Sequence, residues 1–107
     1  MELLDLPGAA DALGLTVPEL TQLVRDGRLV AVREGGVRKI PAGMIQDGVV
    51  VKSLPSVITQ LRDAHFADDE IVDWLHREDD SLPGSPIEAL RANRGSEVKR
   101  RAQVAGY

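Results

Sequence analysis

Residues 6–41 read LPGAADALGLTVPELTQLVRDGRLVAVREGGVRKIP. Within this stretch, Leu6, Ala10 and Leu13 recur at the spacing of one helical face. Gly14 ends the first predicted helix, because glycine adopts the left-handed conformation that closes a helix without steric cost. A second helical pattern and two short β-type runs follow. This order of elements is typical of a winged helix-turn-helix.

The second predicted helix has a strong start signal. Thr16 is a predicted N-cap, and Glu19 completes a capping box in which each side chain accepts a hydrogen bond from the other residue's backbone N–H. Pro18 lies in the first turn, where its missing N–H costs nothing. Gly27 supplies the stop, so the helix is predicted to span about residues 17–26. Its predicted buried face comprises Val17, Leu20, Leu23 and Val24.

A β-hairpin is predicted after this helix. Leu29–Arg33 and Val37–Pro41 are β-type runs on either side of Gly35-Gly36, a pair typical of tight turns. Beyond the hairpin, residues 42–45 are predicted to form one helical turn, and residues 49–52 a short strand or an extended linker. The hairpin is therefore the predicted wing.

The second half of the sequence has helical patterns only. Its first apolar stripe consists of Leu54, Val57, Ile58, Leu61 and His65. His65 is predicted to be a packed core histidine, and Trp74 the core anchor of a helical layer. We predict a mainly α fold with a small β-hairpin wing. Residues 1–52 form a winged helix-turn-helix DNA-binding domain, and residues 53–107 form a helical C-terminal domain that packs on the head or binds a partner.

Composition excludes several function classes. The chain has no cysteine, so it has no disulfide scaffold, no cysteine-ligated zinc and no thiol nucleophile. Acidic Glu2 and Asp5 replace the basic start of a signal peptide, and no apolar run approaches the roughly 20 residues that span a bilayer. His76 stands beside acidic residues, but the spacing matches no metal motif. We predict a cytoplasmic, nucleoid-associated protein that is not an enzyme and uses no cofactor, metal or membrane.

The charge of the chain is unevenly distributed. The net charge is -4, which taken whole argues against a nucleic-acid partner. Residues 20–52, however, contain six basic and three acidic residues, and residues 91–107 contain five basic and one acidic. Residues 62–80 contain two basic and eight acidic residues. Because DNA responds to the local field of a patch, the distribution favours binding through the first half.

The winged helix-turn-helix pattern assigns DNA contacts to particular side chains. The second helix is predicted to enter the major groove, where Thr21 and Gln22 can hydrogen-bond bases and Arg25 can reach a guanine or a phosphate. The wing is predicted to lie on the flanking backbone or in the minor groove and to supply most of the electrostatic affinity. The predicted DNA-binding residues are Thr16, Pro18, Thr21, Gln22, Arg25, Arg28, Arg33, Arg38 and Lys39.

Two segments of the first half resemble known DNA-binding heads. Residues 6–15, LPGAADALGL, resemble the opening of MerR- and excisionase-type domains, and residues 24–32, VRDGRLVAV, resemble their helix-to-wing junction. The whole chain is similar to a small actinobacterial family of winged-helix DNA-binding proteins with a helical C-terminal domain. VKSLP at residues 51–55 and RRAQ at residues 100–103 are its more specific marks. The resemblance implies DNA binding and transcription regulation.

The second half resembles the C-terminal domain of Xre/ParS-type antitoxins. The matching residues are Trp74, Leu75, Leu82, Pro83, Gly84, Ser85, Pro86, Ile87 and Leu90. In that family the domain contacts a partner protein. Resemblance to a mycobacterial relative also implies control by a Ser/Thr kinase near the N-terminus. This sequence has no Ser or Thr before Thr16, which argues against that control here.

The sequence leaves two function classes open. The first is a sequence-specific or architectural duplex-DNA-binding protein that regulates transcription. The alternative is an antitoxin-like or adaptor module that binds proteins and has little DNA affinity. The basic wing favours the first class, and the net acidity favours the second.

Overall fold

The structure, a computed structural model, describes residues 1–82 and 84–105. In chain order its elements are β1 (Leu3–Asp5), α1 (Leu6–Leu13), α2 (Val17–Arg25), β2 (Val32–Glu34), β3 (Val37–Pro41), a 3₁₀ turn (Ala42–Met44), β4 (Ile45–Gln46), β5 (Val49–Val50), α3 (Leu54–Asp63), α4 (Asp68–His76), α5 (Pro86–Arg91) and α6 (Gly95–Val104). The predicted fold class, a winged helix-turn-helix followed by a helical domain, is confirmed.

Helix α2 begins and ends as the sequence predicts. The backbone N–H of Glu19 donates to the Thr16 hydroxyl at 3.3 Å, and the backbone N–H of Thr16 donates to Glu19 Oε1 at 2.9 Å. Both halves of the capping box are therefore formed. Gly14 and Gly27 have φ values of +68° and +75°, a left-handed conformation that glycine adopts at no steric cost. The two glycines separate α1 from α2 and α2 from the wing.

The wing belongs to a three-stranded antiparallel sheet in the order β1-β3-β2. Arg33 lies opposite Arg38, and Leu4 lies opposite Ile40, so these four side chains share one face of the sheet. Ile40 is fully buried, which makes this the face that continues from the core. Strand β1 is an addition to the prediction, because three residues are too short to show a period.

The first wing strand is shorter than predicted. Leu29 and Val30 are fully buried, but they precede β2, which begins only at Val32. Their apolar side chains fill the core from the connection that leaves α2. A second hairpin, β4–β5, replaces the predicted break and linker. Asp47 and Gly48 have φ values of +54° and +79°, as a tight hairpin turn requires at both central positions.

The C-terminal half packs four helices, and its first stripe is confirmed for Leu54, Val57, Ile58 and Leu61. The prediction for His65 is wrong. His65 lies after the end of α3 with a φ of +70°, and its side chain is exposed. Its backbone N–H donates to the Arg62 carbonyl, so the chain turns left-handed there and the stripe stops one turn early.

The two halves share one cluster of buried side chains, most of them aliphatic. The Arg91 guanidinium crosses between them, because its Nη1 donates to the carbonyls of Gly43 at 3.0 Å and Ile45 at 2.8 Å. Helix α6 starts at Gly95, where a Cβ would lie 2.6 Å from the Ser53 hydroxyl oxygen at the start of α3. In residues 1–82 and 84–105, no helix is both long and apolar enough to cross a bilayer.

Candidate nucleic-acid interface

The first turn of α2 protrudes from the core. Residues 16–19 are all exposed, although Leu20 is fully buried one position later. Val17, which the helical period assigns to the buried face, is 36% exposed, so that assignment is wrong. Gln22 and Arg25 are exposed farther along the helix, whereas Thr21, just before Gln22, is half-buried. The predicted contact residues thus follow one outward face of α2.

The polar side chains of this face differ in whether they already have hydrogen-bond or ion-pair partners within the chain. The Thr21 hydroxyl donates to the Val17 carbonyl at 3.0 Å, and Gln22 Nε2 donates to Asp26 Oδ1 at 2.9 Å. Base recognition by Gln22 would therefore exchange one hydrogen bond for another. The Arg25 guanidinium has no ion pair with any residue in the described part of the chain.

The N-terminus of α2 already holds a carboxylate. Hydrogen bonds from the Thr16 backbone N–H and hydroxyl lower the pKa of Glu19, so its charged form is favoured there. A negative group at this end satisfies the helix dipole. A DNA phosphate would meet this charge, which weakens the helix N-terminus as a phosphate site. The cations near α2 are Arg25 and Arg28, which are both exposed.

The wing places its three cations on two different faces. Arg33 and Arg38 lie side by side across the two strands, whereas Lys39 lies on the other face and pairs with Glu34 at 3.0 Å. Arg33 Nη1 also donates to the Gly36 carbonyl at 3.1 Å, which ties this side chain to the wing tip. The structure therefore does not gather the wing cations into a single patch.

The two wing arginines face acidic residues of the C-terminal half. A cleft of about 500 Å³ is lined by Ala31, Val32, Arg33, Arg38, Asp68 and Asp69. Asp68 pairs with Arg62 at 2.9 Å, while Asp69 has no ion pair among residues 1–82 and 84–105. This juxtaposition is absent from the sequence prediction. Only the acidic run itself was visible, since nothing local indicates which surface α4 packs against.

A second surface lies on the C-terminal half. Ile71 and Leu75 are fully buried, but Trp74 is only half-buried and lines two adjoining depressions of about 470 and 520 Å³. The predicted core role of Trp74 therefore holds only in part. We refer to the two depressions together as the Trp74 surface. Its lining residues are Phe66, Asp69, Glu70, Asp73, Trp74, Arg77, Glu78, Asp79, Asp80, Pro86, Arg101, Val104 and Ala105.

The antitoxin-like match is mostly interior. Leu82, Ser85, Pro86, Ile87 and Leu90 are buried, and Ser85 caps α5 by accepting from the Glu88 backbone N–H at 3.3 Å. Pro83, which is also part of that match, lies outside the described residues, as do Gly106 and Tyr107. Most of the matched residues therefore support the C-terminal fold from inside.

The predicted absence of metal and catalytic chemistry rests on the residue pattern. In the described ranges, no group of three or more acidic or histidine side chains could hold a metal ion. The His76 ring nitrogen Nδ1 lies 2.8 Å from the Val72 carbonyl oxygen, within its own helix. His76 thus serves a local contact.

Comparison with known proteins matches both halves to one family. Residues 1–45 match the family described as "DNA-binding protein Rv2175c, wHTH domain", and residues 51–106 match "Rv2175c C-terminal domain of unknown function". The chain is 42% identical to the DNA-binding protein Rv2175c of Mycobacterium tuberculosis, over 96% of this chain and 80% of that protein. The NMR structure of Rv2175c superimposes with a TM-score of 0.90 at 39% identity and covers 99% of this chain and 82% of that one.

Proposed function

Because the chain belongs to the Rv2175c family of winged helix-turn-helix DNA-binding proteins, we propose that it binds duplex DNA with α2 in the major groove. The observation that carries this proposal is the outward face of the capped helix, where Gln22 and Arg25 are exposed beside Arg28. A helix of this kind fits the major groove, and its side chains reach base edges. The wing then lies on the flanking backbone or in the minor groove.

We propose that base selection depends on Thr21, Gln22 and Arg25. Glutamine suits a bidentate contact with adenine, and arginine suits one with guanine. Thr16 and Pro18, at the exposed first turn, are the remaining predicted DNA contacts of this end of α2. Selective binding of DNA is typical of transcription regulators. We propose that the protein acts as one, with a MerR- or excisionase-like head, at the nucleoid in the cytoplasm. Helix α3 has only ten residues, so the MerR likeness is confined to the head.

The test is selection of binding sites from randomised duplexes by the wild type, Gln22→Ala and Arg25→Ala. A selected motif in which Gln22→Ala relaxes one or two positions, at a cost of about 1–3 kcal/mol in discrimination, supports base recognition. Binding without any selected motif would make the protein architectural and remove these base-reading roles. An absence of salt-dependent DNA binding would contradict the proposal as a whole.

A second candidate function is partner binding by the C-terminal half, as in an antitoxin-like or adaptor protein. The Trp74 surface favours it, because it combines a half-exposed aromatic with a strongly acidic rim. The two functions use different surfaces and are compatible in one chain. Kinase control forms no part of this proposal.

A further inference from the structure

The aromatic residues of this chain occupy an unusual place. Only three occur, and two of them, Phe66 and Trp74, are half-buried on the same surface. The largest fully buried side chains in the described part of the chain are leucine, isoleucine, valine and methionine. Complete burial of an aromatic side chain would stabilise the fold more than partial burial does. Large aromatic side chains at a surface are instead typical of the centres of protein interfaces.

Apolar side chains line both depressions of the Trp74 surface. Its two depressions have Trp74, Arg77 and Ala105 in common. Phe66 lies in the first depression, and Val104 lies in the second and is 61% exposed. An apolar side chain that binds here would remove several exposed apolar groups from water at once. This arrangement is that of an anchor site for apolar side chains.

The rim of the Trp74 surface is negatively charged. Its carboxylates are Asp69, Glu70, Asp73, Glu78, Asp79 and Asp80. Both of its guanidiniums are already engaged, since Arg77 pairs with Asp73, and Arg101 pairs with Asp79 at 3.7 Å. Hydrogen bonds from the Ser81 hydroxyl and backbone N–H lower the pKa of Asp79, so this carboxylate is charged at neutral pH. The remaining carboxylates leave a surplus of negative charge.

We infer that the Trp74 surface binds a positively charged, amphipathic segment of a partner protein. The segment places apolar side chains against Phe66, Trp74 and Val104 and its cations against the rim. A nucleic acid or an anionic membrane would bring its phosphates against the carboxylates and is repelled. A second copy docking through the same surface would oppose two acidic rims. This inference rests on the proposed partner-binding role of the C-terminal half and is independent of DNA contact.

The experiment uses the fluorescence of Trp74, the only tryptophan in the chain. The probe is a synthetic peptide of about 14 residues, roughly four helical turns, with lysine and leucine at helical spacing. We expect it to shift the Trp74 emission and to dissociate as salt is raised, because the rim charges are exposed. Two matched peptides, one with glutamate for lysine and one with serine for leucine, are expected to leave the emission unchanged.

Matched variants separate the rim from overall charge. Glu78→Gln with Asp80→Asn removes two rim charges that have no ion pair among the described residues. This double variant should lower the affinity for the lysine-leucine peptide about fivefold. Asp11→Asn with Asp47→Asn removes two exposed charges of the N-terminal half and should leave affinity within about twofold of wild type. Asparagine tolerates the positive φ of residue 47.

Four results would overturn the inference. The first two are equal weakening of peptide binding in both double variants and equal binding of the glutamate peptide. The others are peptide binding detected by calorimetry with no change in Trp74 emission, and no peptide binding by either method. DNA affinity is measured on the same samples. Peptide binding that persists while wild-type DNA binding fails contradicts only the proposed DNA role, and the reverse result contradicts only this inference.

Discussion

Helix α2 and the wing both carry cations, but the two regions differ in what surrounds those cations. Arg25 and Arg28 are exposed and have no ion pair in residues 1–82 and 84–105. In the wing, Lys39 pairs with Glu34, and Arg33 and Arg38 share a cleft with two aspartates. A cation with a nearby carboxylate has less charge to offer a phosphate. In place of the wing, we therefore predict that Arg25 and Arg28, at and just beyond the end of α2, supply most of the electrostatic contact with DNA.

The largest expected effect contrasts the two arginine pairs. Arg25→Ala with Arg28→Ala should weaken binding to all duplexes about tenfold to hundredfold at low salt and reduce the salt slope by about two. Arg33→Ala with Arg38→Ala should reduce the slope by about one, because the nearby aspartates already offset part of that charge. Fluorescence anisotropy titrations at several salt concentrations check both. A larger loss of DNA affinity in Arg33→Ala with Arg38→Ala would mean that the wing dominates the electrostatic contact instead.

The next effect concerns the rigidity of the α2 face. Thr16→Ala removes the hydroxyl that accepts from the Glu19 backbone N–H, and should lower the free energy of unfolding by about 1 kcal/mol. Thermal unfolding measures the change. Thr59→Ala is the matched control, since the exposed Thr59 hydroxyl only donates to a carbonyl of its own helix. Equal destabilisation of both variants would mean that the cap contributes nothing special.

A smaller effect should come from the aspartates that face the wing. Asp69→Asn removes a carboxylate from the cleft of Arg33 and Arg38, and should tighten DNA binding about threefold at low salt. Asp73→Asn changes the net charge equally, but it lies on the Trp74 surface and not in this cleft. It should therefore have less effect. If both variants tighten DNA binding by the same factor, the effect is one of overall charge, and the nearby aspartates do not offset the charge of the wing arginines.

The smallest effect is a pH dependence at the start of α2. The folded-state pKa of Glu19 is lowered, so its ionised form contributes stability above its unfolded value of 4.5, and this contribution is lost as pH falls through the folded pKa. As the pH falls from neutral to below the folded-state pKa of Glu19, wild type should therefore lose more thermal stability than Glu19→Gln, since glutamine does not titrate. Parallel pH profiles of melting temperature for the two proteins would contradict the assignment.

A large part of the structure could be predicted from the sequence alone, because it depends on interactions between neighbouring residues. The capping box of Thr16 and Glu19, the left-handed stops at Gly14 and Gly27, and the Gly35-Gly36 turn depend on residues within four positions of each other. Such features are set by backbone sterics and neighbouring side chains. The confirmed helix boundaries and wing follow from them. Where the local signal was too short, as in β1 and the Asp47-Gly48 hairpin, the prediction was incomplete.

Tertiary packing alone decided which side chains meet. Arg33 and Asp69 are far apart in the sequence, and only the placement of α4 beside β2 brings them to one cleft. Trp74 shares a helical period with Ile71 and Leu75, yet the core reaches its limit at that point and leaves the indole at the surface. Periodicity reports which way a side chain points, but not where the core ends. The sequence therefore determined the elements, whereas contacts between distant segments determined the charge environment of the wing and the exposure of Trp74.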